Sequence, residues 1–309
     1  MSDATVHFRE WTLNLSKSGG RFFMKKISFL SALVLAPFFA FGFDWPQEEI
    51  MSDTFFTYFA HTRGGVINPS LIFSDSGEIK TSSKGTVTAV LSEHDEDSSL
   101  FESTLGNAVI LIHDDSLMTV YANLNSDDQE KRYELSEVEN ATPIGTCGSS
   151  GWQEGNALLE FQVVDLKAKT LVNPRILMPR FGNELPLEIF NLTAINKKGT
   201  EYNFDTNRRI ASGTYFIYCS QQPVSMPYKT TILVNGAIAD TITYDALVSI
   251  DGKLCTNNKS NYPSSVIYPD KKRQLLGEIA IPKGHNRITI SVADILGKEK
   301  ILTYSVEAY

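Results

Sequence analysis

Five histidines, His7, His61, His94, His113 and His285, three cysteines, and the acidic residues beside His94 and His113 are the groups in this chain that could bind a metal or move a proton. Their spacing offers no ready-made site. No two histidines stand at i, i+2 or i, i+4, the separations that put two imidazoles on one face of a strand or a helix. His94-Asp95-Glu96-Asp97 lacks the alternation and the glycine of a calcium loop and reads as solvated loop. His113-Asp114-Asp115 reads as a strand end followed by a tight turn. Cys147 lies in a glycine-rich stretch without a neighbouring base, so an inert thiol is expected there rather than a nucleophile. Trp45 and Trp152 could present an aromatic platform to a sugar or a peptide.

The elements that must position these groups are strands. Short β-branched and aromatic runs alternate with polar residues and are broken by Gly, Asn, Asp and Ser at hairpin spacing, which predicts an all-β chain. Residues 86–91, 108–113, 118–124 and 158–164 are expected strands of one unit, with Asp114-Asp115 as a turn. Asn173-Pro174 and Met178-Pro179 interrupt the pattern, and a second strand series begins near Leu187, placing a domain boundary at about residue 182. The second half holds 213–219, a type I′ turn signal at Asn235-Gly236, 276–281 and 286–292, the pattern of a β-sandwich.

Length and charge narrow the function classes. The chain has 309 residues, 42% of them apolar and 21% charged, enough for one large or two ordinary cores without a metal or disulfide framework. A formal charge of −8 leaves no basic footprint for nucleic acid. From Met24, two lysines precede an uncharged apolar run from Ile27 to Phe41, and Ala40-Phe41-Gly42 completes a signal-peptide pattern with cleavage expected near Gly42. Residues 1–23 then read as a start-codon artefact and 24–42 as the leader. Removal of residues 1–42 takes five basic and two acidic groups and moves the charge to −11. No later segment is long and apolar enough to span a membrane, so a protein exported to the periplasm or cell envelope is expected. Cys219 and Cys255 are the pair expected to bridge in that oxidising compartment.

An ordered series of motifs carries a resemblance. Gly106-Asn107 precedes the strand ending at His113. Thr119-Val-Tyr121-Ala-Asn123-Leu124 follows, then Ile144-Gly145-Thr-Cys-Gly148-Ser-Ser-Gly151, Leu159-Glu160-Phe161 and a closing Asn173-Pro174. Upstream stand Phe59-Ala-His-Thr-Arg63 and Gly85-Thr-Val87. Over roughly residues 55–180 this resembles a LytM/lysostaphin-type zinc metallopeptidase domain. The stretch from Glu278 to Lys298 resembles the last strands of bacterial immunoglobulin-like modules.

The resemblance implies a peptidoglycan endopeptidase fold in which two histidines and an aspartate hold zinc and two further histidines serve the reaction. In this chain Asn68 stands for the first histidine and Ile72 for the aspartate, Asn123 for the Tyr-x-His-Leu histidine, and Leu158 and Glu160 for the His-x-His pair. An ungapped count from Gly155 would instead place Ala157 and Leu159 at that pair. The resemblance therefore implies residues 43–182 as a degenerate LytM-like domain that has lost its zinc, and 183–309 as an immunoglobulin-like sandwich. Arg63, Tyr121 and Trp152 are the residues expected to bind in the former groove. Three functions follow as alternatives. One is an inactive protein that binds peptidoglycan or regulates a peptidoglycan hydrolase. The second is an active zinc endopeptidase with atypical ligands, Glu160 among them. The third is an adhesin or scaffold that binds through the sandwich.

Overall fold

In the computed structural model of the protein, residues 42–48, 55–93, 103–151, 157–180, 182–222 and 226–309 are described. The expected leader before Gly42, the acidic run from His94 and Trp152 lie outside them. Strands dominate, and the helices are single turns, Gln129–Tyr133 and Ser264–Ile267, so the chain is all-β as its alternation predicts.

The expected strands form close to their predicted limits. Gly85–Leu91, Ala108–Ile112, Leu117–Ala122 and Glu160–Asp165 lie side by side and antiparallel. Asp114-Asp115 makes the turn between the second and third, with Ser116 at φ 68°. At the far side Glu160–Asp165 pairs with both Leu71–Phe73 and Thr170–Val172. In the second half a four-stranded sheet, built around Gly213–Ser220 and Arg273–Ile281, faces a five-stranded sheet of Arg209–Ile210, Glu299–Ala308, Gly284–Ala293, Lys229–Val234 and Ala237–Thr243. Ala194, Tyr215, Ile217 and Ile279 from one sheet and Ile232, Ile288, Ile290 and Val306 from the other share one core. Asn235 and Gly236 have φ of 54° and 86°, the paired positive values that a type I′ hairpin needs.

Residue 182 does not divide the packing in two. Ala246–Ile250 leaves the sandwich and pairs with Thr170–Val172, so that the hairpin completed by Lys253–Thr256 extends the sheet of the first half. Tyr218, Tyr244, Leu247, Tyr262, Ile267 and Tyr268 enter the same core as Phe59, Leu71, Tyr121 and Phe161. Residues 40–309 accordingly cluster as a single compact unit. Alternation specifies that 246–250 is a strand but carries no information about its neighbour.

The expected Cys219–Cys255 disulfide is not formed. All three cysteines are free and buried. Cys219 faces the sandwich core, whereas Cys255 sits on the hairpin added to the other sheet, opposite Val248. Burial pushes the Cys219 thiol up to about 12 and raises those of Cys147 and Cys255 as well.

Candidate functional site

Strand register assembles the positions expected to have held zinc. Glu160 is the cross-strand partner of Ile72 on one side and of Ala122 on the other, which puts these side chains on one face of the sheet, with Asn123 immediately beyond. Leu159, one residue earlier, points the opposite way into the first core together with Leu71 and Phe73. The sheet thus sets Glu160, and not Leu159, on the face that carries Ile72. Asn68, three residues before Leu71, completes the group, and all five positions, Asn68, Ile72, Asn123, Leu158 and Glu160, are buried.

Each polar member is committed to the protein itself. Asn68 donates through Nδ2 to the carbonyls of Ser70 (2.7 Å) and Tyr58 (3.2 Å), tying the turn around Pro69 to the strand before it. Asn123 has φ of 64°, a left-handed conformation that Asn tolerates. From there Nδ2 donates to the carbonyls of Gly148 (2.7 Å) and Leu158 (2.8 Å), and Oδ1 accepts from the Gly151 amide (2.7 Å). It thus staples the glycine loop to the segment entering Glu160. The loop needs its glycines because it lies directly on backbone: a Cβ on Gly148 would stand 2.5 Å from the Asn125 amide nitrogen.

Glu160 is the one carboxylate of the group. Arg63 Nη1 donates to its Oε2 at 2.9 Å, Ser70 Oγ donates to Oε1 at 2.5 Å, and Gln162 Nε2 donates to Oε1 at 3.2 Å and to Ser70 Oγ at 2.9 Å. Arg63 itself is about one-third exposed. It sits on a small hairpin of Thr62–Arg63 with Val66–Ile67, and that hairpin is braced from the distant second half, where Ser264 Oγ accepts from the Ile67 amide (2.8 Å) and Tyr268 donates to the Ala60 carbonyl (2.8 Å). A guanidinium thus stands beside the carboxylate where the resemblance would place a metal cation.

These residues do not fit zinc. A structural or catalytic zinc needs three or four N, O or S ligands with free lone pairs. Ile72 and Leu158 have none, the two amides are engaged with backbone, and Glu160 already balances Arg63. Among the described residues no three His, Cys, Asp or Glu side chains gather closely enough to hold a metal. His113 is buried, with Nδ1 against the Lys84 carbonyl (2.7 Å) and Nε2 against Thr119 Oγ1 (2.9 Å), a role in structure. His285 pairs with Glu307 on the sandwich, and His61, partly buried, is held below the usual histidine range by desolvation.

Of the residues expected to bind in the groove, Arg63 lies at this cluster, and Tyr121 does not line a surface. It is fully buried against Phe161 (5.1 Å between ring centroids), and its hydroxyl accepts from the Ser82 amide at 2.7 Å. Trp45 is likewise spent on packing against Phe55 and Phe73, with its indole N–H donating to the Pro179 carbonyl at 2.7 Å. Ser70, Gln162 and Ser264 were not apparent from sequence, since a lone polar residue in or beside a strand carries no spacing signal.

A protein-family profile matches residues 186–309. An uncharacterized protein of Treponema pallidum (strain Nichols) is 30% identical over 125 residues, 38% of this chain and 82% of that protein, and the chain belongs to its family. Similar solved structures include a SpoIIIAH and SpoIIQ complex, at 17% identity and a TM-score of 0.34 over 44% of this chain and 99% of that one. A zinc containing peptidase from Vibrio cholerae is similar at 16% identity and a TM-score of 0.31, over 40% and 36%. At such scores neither likeness carries a function across.

Proposed function

We propose that this is an exported, non-catalytic protein of the cell envelope, built on a degenerate LytM-like domain, that acts by binding peptidoglycan or a peptidoglycan hydrolase. The observation that carries the reading is the Arg63–Glu160–Ser70 cluster: the single acidic ligand position is neutralised from within the chain, and the neighbouring amides are tied to backbone. The signal-peptide pattern from Met24 supports export, and among the described residues no helix is long and apolar enough to cross a membrane.

Burial of all five former ligand positions also favours a second reading, the scaffold, in which the contact surface lies on the sandwich rather than in the groove. Both are tested with the whole chain, because residues 244–268 complete the first core and separated halves would each lose part of it. Purified protein is incubated with insoluble peptidoglycan, and sedimentation and release of soluble fragments are followed, with and without a hydrolase. Sedimentation, or stimulation of the hydrolase, with no chelator-sensitive release by the protein alone is the expected result. Chelator-sensitive release by the protein alone would overturn it. Loss of binding in Arg63→Met favours the groove, and loss only in Arg287→Glu on the exposed sandwich face favours the scaffold.

A further inference from the structure

The sandwich carries two exposed arginines, Arg208 and Arg287, that no carboxylate neutralises. Gly284–Ala293 and Glu299–Ala308 run antiparallel, with His285 opposite Glu307 and Arg287 opposite Ser305. On the other side of Glu299–Ala308, the Glu307 amide donates to the Arg208 carbonyl at 2.8 Å. Arg208 is held in place, since Nη1 donates to the Phe204 carbonyl at 3.2 Å and the guanidinium carbon stands 6.0 Å from the centre of the Tyr304 ring. Among the described residues no Asp or Glu lies within ion-pair distance of either arginine, whereas His285 Nδ1 is 2.5 Å from Glu307 Oε2. In a chain of formal charge −8, this is a local excess of positive charge.

Both arginines line an open groove of about 750 Å³, the size of a small-ligand site. Its frame is tied down from within. Asn286, 3% exposed, donates through Nδ2 to the carbonyls of Pro282 (2.7 Å) and Gly284 (2.9 Å) and accepts from Asn235 Nδ2 (2.9 Å), while Asn235 Oδ1 accepts from the Arg287 amide (2.8 Å). Thr303, Ser305 and Glu307 add two hydroxyls and a carboxylate to the lining. Its one apolar member, Val306, is buried. A protein partner is held chiefly by large anchors seated in pockets, and nucleic-acid bases by stacking on aromatic rings. The lining offers neither a pocket for such an anchor nor an aromatic ring. Arginine forks match carboxylate or phosphate, and hydroxyls beside a carboxylate exchange hydrogen bonds with alcohols, so the lining suits a ligand both anionic and rich in hydroxyls.

We propose that this groove binds an anionic saccharide, with its carboxylate or phosphate on Arg208 and Arg287 and its hydroxyls on Glu307, Thr303 and Ser305. Bare phosphate would complement the arginines but would meet the Glu307 carboxylate without an alcohol to bridge to it. The inference rests on the scaffold reading in placing the contact on the sandwich, and names the chemistry recognised there. The two fail separately: the scaffold reading falls if Arg287→Glu still sediments with peptidoglycan, and this inference falls if soluble anionic sugars do not bind.

The test is calorimetric titration of the full chain with glucuronate, glucose 6-phosphate, glucose, inorganic phosphate and triaspartate. Saturable binding of glucuronate or glucose 6-phosphate is expected, weakened about tenfold or more in glucose, the worth of one charge-assisted hydrogen bond. The tighter of the two anionic sugars identifies the anion. Arg287→Met and Arg208→Met should each weaken the anionic sugar about tenfold or more, and Glu307→Gln should narrow its advantage over inorganic phosphate. Should Arg208→Met fail to fold because its contacts to Phe204 and Tyr304 are lost, Arg287→Met, at an exposed position, and the comparison with glucose carry the test on folded protein. No saturation by either anionic sugar, equal binding of glucose, tighter binding of inorganic phosphate or triaspartate, or full binding by Arg287→Met would each overturn the proposal.

Discussion

Whether a carboxylate can serve a metal depends on what already neutralises it, and at Glu160 that is Arg63. Removing one partner of a buried pair costs more than the pair is worth, because the other charge is left in poor solvent. Arg63 is partly exposed, so the loss is moderated by water. Arg63→Met should destabilise the fold by about 1–3 kcal/mol, and Glu160→Gln, which leaves only the more exposed guanidinium unpaired, by less. Urea denaturation of both single variants and the double should show coupling, with the double costing less than the sum; additive losses would contradict the pairing. His61 gives a second prediction at this scale. Burial lowers its folded pKa, so as pH falls through about 6.5 the unfolded chain takes up the proton first. Stability should therefore decline below that pH until the depressed folded value is passed, and His61→Gln should flatten the profile. That Asn68, Asn123 and Glu160 are not histidines is legible in sequence. What surrounds them is not, since Ser70, Gln162 and the hairpin bearing Arg63 meet only once the sheet has formed.

For the elements, alternation and turn residues were enough to place most strands: Asn235-Gly236 and Asp114-Asp115 turn where their chemistry requires it. Partners were harder to read. The 246–250 strand looks like any sandwich strand, yet Leu247 pairs with Leu171 and its side chain is fully buried in the first core. The same ambiguity misled the expectation for the cysteines, because Cys219 and Cys255 lie on strands of different sheets. Burial that raises all three thiol pKa values also shields them from reagent. Thiol titration with an aromatic disulfide reagent should register almost no reaction in the native protein and all three thiols in denaturant without a reductant. Only one titrating in denaturant would restore the bridge.

At the scale of the molecule, the second half returns to the first through Ala246–Thr256 and the Ser264–Ile267 turn, so the larger core draws on both halves of the chain. This is why Arg63, near the start of the described chain, depends on Ser264 and Tyr268 near its end. Leu247→Ala should cost about 2–5 kcal/mol and shift near-UV dichroism and tryptophan fluorescence together. Separate transitions by the two probes would show that the halves unfold independently. The central claim, that the former metal position is occupied by the chain's own charges, is tested most directly by calorimetric zinc titration of the intact protein at neutral pH, with Glu160→Gln as control. The account predicts no stoichiometric binding and the same trace for both proteins. One zinc bound per chain in the native protein, lost in Glu160→Gln, would contradict it.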